Sequence, residues 1–117
     1  MEKIVILLFA GTDAPCRLQH AVLFARDAVQ RGTEARIVLE GQAPQWLVPF
    51  AAGEHPLRSL FEKARGEGLI DGVCKACAAA NGALEAAEQL GLPLLADAFG
   101  HVSLAQYVAN GYQAVVI

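Results

Sequence analysis

Lys3 to Ala10 reads KIVILLFA, an almost unbroken apolar run with several β-branched residues. Strands buried on both faces of a helix-covered parallel sheet have this pattern. Gly11-Thr12-Asp13 ends the run. Thr12 or Asp13 is placed to cap a following helix, and Pro15 suits its first turn because proline has no N–H to satisfy there. From Cys16 to Gln30, the apolar residues Leu18, Val22, Ala25 and Val29 recur at spacings of four, three and four. That is one face of an α-helix, with Gly32 as its stop. Ala35 to Leu39 (ARIVL) is a second buried strand, so the first forty residues predict a right-handed strand–helix–strand unit.

Gly41 to Pro56 is the least regular segment, with three prolines and two glycines. It holds the single tryptophan in the run QWLVPF, too apolar for a solvated loop, and predicts a short helix or turn lying on the body of the protein or on a partner. Leu57, Leu60, Phe61 and Ala64 are helically spaced within Pro56 to Gly66. Leu69 to Val73 predicts a third strand and Ala76 to Leu90 a long alanine-rich helix closed by Gly91. Leu92 to Ala96 predicts a fourth strand, and Pro93 puts it at an edge or at its own first residue. A last helix follows over Ser103 to Asn110 with Ser103 as cap, then a fifth strand over Tyr112 to Ile117. Strands and helices alternate throughout. The expected architecture is a three-layer α/β/α sandwich on a mostly parallel five-stranded sheet, one domain spanning residues 1–117.

The composition narrows the classes. Of 117 residues, 55% are apolar and 18% charged, more apolar than an average soluble domain, so part of the surface is expected to be covered by association of copies. A net charge of −3 and scattered basic residues argue against nucleic-acid binding. The longest apolar run, Ile4 to Ala10, is seven residues, far short of the roughly 20 that span a bilayer. No small-residue cleavage site follows it, and three cysteines do not make a secreted disulfide framework; a cytoplasmic protein is expected.

Reactive groups in parallel α/β sheets collect at the carboxyl ends of the strands. The first such loop carries Asp13 and Cys16. The third strand runs into Cys74-Lys75-Ala76-Cys77, and the fourth into Asp97, Gly100 and His101. A thiolate at a helix start is favoured by unpaired N–H groups and the positive end of the dipole, and Lys75 adds a cation, so lowered thiol pKa values are expected. Packing alone also accounts for cysteines in so apolar a chain. His20 is expected on the surface of the first helix and His55 in a structural loop. No P-loop, G-x-G-x-x-G or G-x-S-x-G is present, and Ser59 and Ser103 are the only serines, which leaves little room for phosphate-loop or serine-hydrolase chemistry.

The opening KIVILLFAGTDAP, the third strand ending in VCKACAAANG and the closing SLAQYVANGYQAVVI together resemble the DsrE/DsrF-like proteins, which include TusD-type sulfur-relay subunits and related uncharacterised cytoplasmic proteins. The resemblance covers nearly the whole chain and is one of layout more than of a strict signature. It implies a sulfurtransferase-like carrier of sulfane sulfur as a cysteine persulfide, with Cys74 at the carrier position and Cys77 as second thiol. It also implies a dimer, trimer or hexamer and a sulfur-relay partner. Lys75 joins the two thiols as the catalytic set, with Cys16, Asp13 and His101 as binding residues; this reading needs no cofactor and no metal. The alternatives are a zinc site of Cys16, Cys74, Cys77 and His101, a C-x2-C thiol redox site, and a non-catalytic binding or regulatory subunit that docks a partner through the Trp46 segment.

Overall fold

The computed structural model describes residues 2–117. Five strands, β1 (Lys3–Leu8), β2 (Glu34–Leu39), β3 (Ile70–Cys74), β4 (Leu94–Leu95) and β5 (Tyr112–Val116), form one sheet in the order β4-β3-β2-β1-β5, and every pairing is parallel. The helices are α1 (Pro15–Gln30), α2 (Leu47–Ala51), α3 (Arg58–Gly66), α4 (Lys75–Ala80), α5 (Leu84–Gln89) and α6 (Leu104–Ala109), with a 3-10 turn over Ala43–Trp46. The expected α/β sandwich is the observed one.

The strand order explains how the layers fill. From β1 to β4 each step goes to the next strand on the same side, so right-handed crossovers leave all the intervening helices on one face. The β4-to-β5 connection returns past the whole sheet and puts α6 on the other. The buried side chains divide accordingly. Ile6, Leu8, Ile37 and Leu39 pack with Leu18 and Val22 of α1, Phe61 of α3 and Ala87 of α5. Val5, Leu7 and Val38, on the opposite face, pack with Val102, and Tyr107 of α6 leans on them. Trp46 and Phe50 are fully buried and stacked, with ring centroids 5.8 Å apart. Of the two placements expected for the Trp46 segment, it takes the one on the body of the protein: Trp46, Leu47 and Phe50 are buried in the core and Val48 is exposed.

Several boundaries move for identifiable reasons. Neither Thr12 nor Asp13 caps α1; the cap position is Ala14, and Thr12 is held instead by Gln45 Oε1. Val29, expected on the apolar face of α1, is half exposed, and Ala21 takes a buried place beside Val22. The long helix over 76–90 is two short ones. Asn81 closes α4 and Gly82 (φ 64°) adopts the left-handed conformation that glycine tolerates. β4 keeps only Leu94–Leu95 after Pro93 and lies at the sheet edge, where proline is tolerated. Ser103 caps α6 by accepting from the Gln106 N–H at 3.2 Å, as expected.

One irregularity decides where the chemistry sits. Ile70 pairs with Ile37 and Gly72 with Val38, so Asp71 is an extra residue in β3. Alternation without it would point Cys74 at the α1 face; with it, Val73 packs there and Cys74 turns to the α6 face. Gly72 is required at this point. A Cβ there would lie 2.8 Å from Leu95 Cγ and 2.9 Å from the Pro93 carbonyl oxygen.

Candidate functional site

Cys74 ends β3 and also occupies the cap position of α4, which carries Cys77 in its first turn. His101 arrives from the other direction, at the end of a tight turn that follows β4. Ala98 and His101 exchange both backbone hydrogen bonds, at 2.9 and 2.8 Å. The two central residues, Phe99 (φ 55°) and Gly100 (φ 82°), both have positive φ, as a type I′ turn requires. The Gly100 carbonyl accepts from the Ala76 N–H at 3.1 Å, which ties the histidine turn to the cysteine helix.

The result is a compact group of donors. His101 Nδ1 lies 3.2 Å from Cys74 Sγ and 3.7 Å from Cys77 Sγ, and the three ligand atoms fall within 4.8 Å of one another. Cys74 is fully buried, Cys77 half-buried and His101 exposed. Access from solvent is therefore at Cys77 and the imidazole.

Two residues that the sequence did not single out complete the surroundings. Glu40, just past β2, acts electrostatically on both Cys77 and His101. Burial raises its carboxyl pKa, and His101 opposes that shift. Asn81 donates to the Cys77 carbonyl at 2.7 Å and to the Gly41 carbonyl at 2.9 Å, and accepts from Gln45 at 3.1 Å. It ties α4 to the β2 end of the sheet. The Asn81-Gly82 pair was a visible turn signal inside the alanine-rich stretch. A carboxylate directly after ARIVL was a visible sign of a polar group at a strand end.

The expected activation of the thiols is not what the surroundings produce at Cys77. Burial pushes its thiol up, a hydrogen bond with Cys74 adds to this, and the Glu40 carboxylate works in the same direction; only the Gly41 backbone lowers it. Lys75 is exposed, its ammonium makes no side-chain hydrogen bond or salt bridge among the described residues, and it is not among the charges that act on the Cys77 thiol. A six-residue helix adds little field of its own.

Cys16 is not part of this group. It is exposed on α1, 3.3 Å from His20 Nδ1 one helical turn away, and the four-residue zinc set that included it is not assembled. Asp13 is exposed and lines an open depression with Phe9, Arg17 and Val116, away from the thiols' own contacts. His55, at φ 90°, accepts from the Leu57 N–H and packs edge-on against Trp46, a structural role as expected.

On the α6 face, Tyr107 hydrogen-bonds Asp71, Tyr112 hydrogen-bonds Glu34, and Arg36 lies between the two carboxylates. Burial first, then the bond to Asp71, pushes the Tyr107 hydroxyl pKa up. A depression of about 230 Å³ opens beside it, lined by Asp71, Asp97, Ser103 and Gln106 among others. Among the described residues, no helix is long and apolar enough to cross a membrane.

No family model and no solved structure matches the chain. Over 98 residues it is 38% identical to the uncharacterized protein MJ0733 of Methanocaldococcus jannaschii, an alignment that covers 84% of this chain and 78% of that protein. Identity at that level over most of both chains makes this protein a member of the MJ0733 family.

Proposed function

We propose that the protein handles sulfane sulfur through a cysteine persulfide, with Cys77 as the receiving thiol, His101 as its proton partner and Cys74 behind them. The observation that carries this is the convergence of two thiols and one imidazole within 4.8 Å, with Cys77 the more accessible sulfur. The resemblance to DsrE/DsrF-like proteins supports the same chemistry but favours Cys74 by order along the chain. Burial of Cys74 is the reason to assign reception to Cys77.

The step balances without net oxidation. His101 Nδ1 takes the proton from the Cys77 thiol as its sulfur attacks the outer sulfur of a donor persulfide. One S–S bond forms, the donor's S–S bond breaks, and the donor leaves as a thiolate. An acceptor thiolate reverses the sequence. Attack of Cys74 on the inner sulfur of Cys77 instead releases hydrosulfide and leaves a Cys74–Cys77 disulfide, which an external dithiol must reduce. A raised Cys77 thiol makes this proton transfer necessary, because little thiolate exists beforehand.

The chemistry suits a reducing compartment such as the cytoplasm. Association of copies is part of the proposal and is supported by the outer strand β5 and its neighbour α6, where Val115, Val116, Leu104 and Val108 are exposed. Analytical ultracentrifugation tests it, and a monomer at all concentrations removes it.

The test of the sulfur reading uses metal-free, reduced protein treated with a persulfide donor and read by intact mass. A gain of one sulfur is expected in the wild type and in Cys16→Ser, and no gain in Cys77→Ser. An unmodified wild type, or labelling confined to Cys16, rejects the reading.

A further inference from the structure

The same three side chains meet the requirements of a different ligand. We infer that Cys74, Cys77 and His101 form a binding site for a soft divalent cation of the zinc class, with three protein ligands and a fourth position open to solvent. This rests on geometry and ligand chemistry and does not need the sulfur reading to be correct.

A tetrahedral zinc with Zn–S bonds of about 2.3 Å and Zn–N of about 2.0–2.1 Å sets S···N edges of about 3.5–3.6 Å. The Cys74–His101 and Cys77–His101 separations are 3.2 and 3.7 Å, one on either side of that value. Those two edges need to change by only a few tenths of an ångström, and the sulfur–sulfur edge lies within 4.8 Å. Such agreement is not a local consequence of the C-x2-C spacing, since His101 lies 24 residues beyond Cys77 and comes from a separate turn. That turn is rigid on its own account: it is closed by two backbone hydrogen bonds and tied to α4 by a third.

The electrostatics agree. Two thiols and the Glu40 carboxylate lie close together, and no lysine or arginine forms a salt bridge with Glu40 among the described residues. A dication would balance two thiolates and leave the carboxylate as a favourable outer charge. Thiolate and imidazole donors select zinc-class ions over magnesium or calcium, which require oxygen ligands. Glu40 is not among the grouped ligand atoms, so the fourth position falls to water on the side where Cys77 and His101 meet solvent. Three protein ligands plus water mark an exchangeable or reactive site rather than a closed structural one.

Binding is a ligand exchange with no change of oxidation state. Each thiol loses its proton to solvent as its S–metal bond forms, two protons per ion, and the imidazole binds through Nδ1 as neutral ring. Affinity must therefore rise with pH. Metal and sulfane sulfur also compete for the same sulfurs, so a loaded site resists persulfidation.

The test is titration of the reduced, metal-free full chain with zinc ion against a chromophoric chelator, followed by cobalt substitution to detect sulfur-to-metal charge transfer. One ion per chain is expected. Losing a residue that only orients a metal ligand costs metal sites about 10–100-fold, so loss of a direct ligand in Cys77→Ser or His101→Gln should weaken binding by at least about 100-fold. Both positions are open to solvent and folding is checked by circular dichroism. Cys16→Ser should bind as the wild type does.

Absence of stoichiometric binding, a Cys77→Ser protein that binds undiminished, or loss of binding in Cys16→Ser overturns the inference. The two readings fail separately. Zinc binding without sulfur uptake by the metal-free protein keeps this site and removes the carrier role. Sulfur uptake without zinc binding does the reverse.

Discussion

The molecule contains cysteine–histidine contacts in two places, and they differ in nearly everything except the residue types. Cys16 and His20 are one helical turn apart on α1, both exposed, 3.3 Å between sulfur and nitrogen. That contact follows from helix geometry, since residues four apart share a face. His20 Nδ1 is also engaged by the Cys16 carbonyl at 2.8 Å, which leaves it little to offer a ligand. Cys74, Cys77 and His101 instead come from the end of β3, the start of α4 and a turn after β4. Nothing local brings them together. A contact assembled from distant segments, partly withdrawn from water and tied by backbone hydrogen bonds, is held in place by the fold, and only such a contact gives fixed geometry to a thiol.

The contrast is sharpest in accessibility. In the native protein, alkylation should reach Cys16 at least about 100-fold faster than Cys74, whose modification needs local opening worth about 3 kcal/mol or more. Mass spectrometry of partially alkylated protein measures this, and comparable rates would mean that the buried thiol is not held. The next effect is at Asn81. Removing its amide in Asn81→Ala leaves the Gly41 carbonyl without its donor and the Cys77 carbonyl with only the residue-81 backbone N–H, and should cost about 1–3 kcal/mol, read by urea denaturation. Cys16→Ser and His20→Ala should each stay within about 0.5 kcal/mol.

The pH dependence separates the contacts further. The Cys77 thiol is raised in the folded protein, so the native state holds its proton longer than the unfolded chain does. Its contribution to stability is whole below the unfolded thiol value of about 8.5 and declines as pH rises through the folded value. Tyr107 and Tyr112 are raised too and decline in the same sense, above the ordinary tyrosine range. The thiol part is therefore the difference between wild type and Cys77→Ser, and a difference that does not change above pH 8.5 would refute it. A change of opposite sign concerns the histidine turn. Phe99 is fully exposed in the left-handed region, where asparagine is at home and phenylalanine is not. Phe99→Asn should stabilise the protein by about 1 kcal/mol, seen as a higher melting temperature. A loss of stability would show that the ring has a partner on the protein.

Much of this site could be read one residue at a time. Cys74 and Cys77 stood at a strand end entering a helix, and His101 stood near the start of the next helix, all on the carboxyl edge of the sheet. What failed was the grouping. Cys16 shares that edge with the others and yet faces its own helix partner, because α1 directs it outward. Lys75 is adjacent in sequence and absent from the site, because successive residues at a helix start point about 100° apart. The expected depression of thiol pKa failed for a related reason: burial and a neighbouring carboxylate outweigh what six helical residues supply.

Local periodicity determined the elements, since a strand or helix declares itself in the spacing of its own apolar residues. KIVILLFA, ARIVL and the α1 face needed no partner to be recognised, and their alternation gave the α/β architecture. Long-range contact decided the rest. The extra residue Asp71 turned Cys74 to the α6 face, and it exists only in the pairing of β3 with β2. Crossover handedness and strand order put α6 and the histidine turn on that face, and neither is a property of any single segment. Burial of Trp46, capture of Asn81 and the meeting of His101 with two sulfurs are energies of contact between segments far apart in the chain, visible only after it has folded.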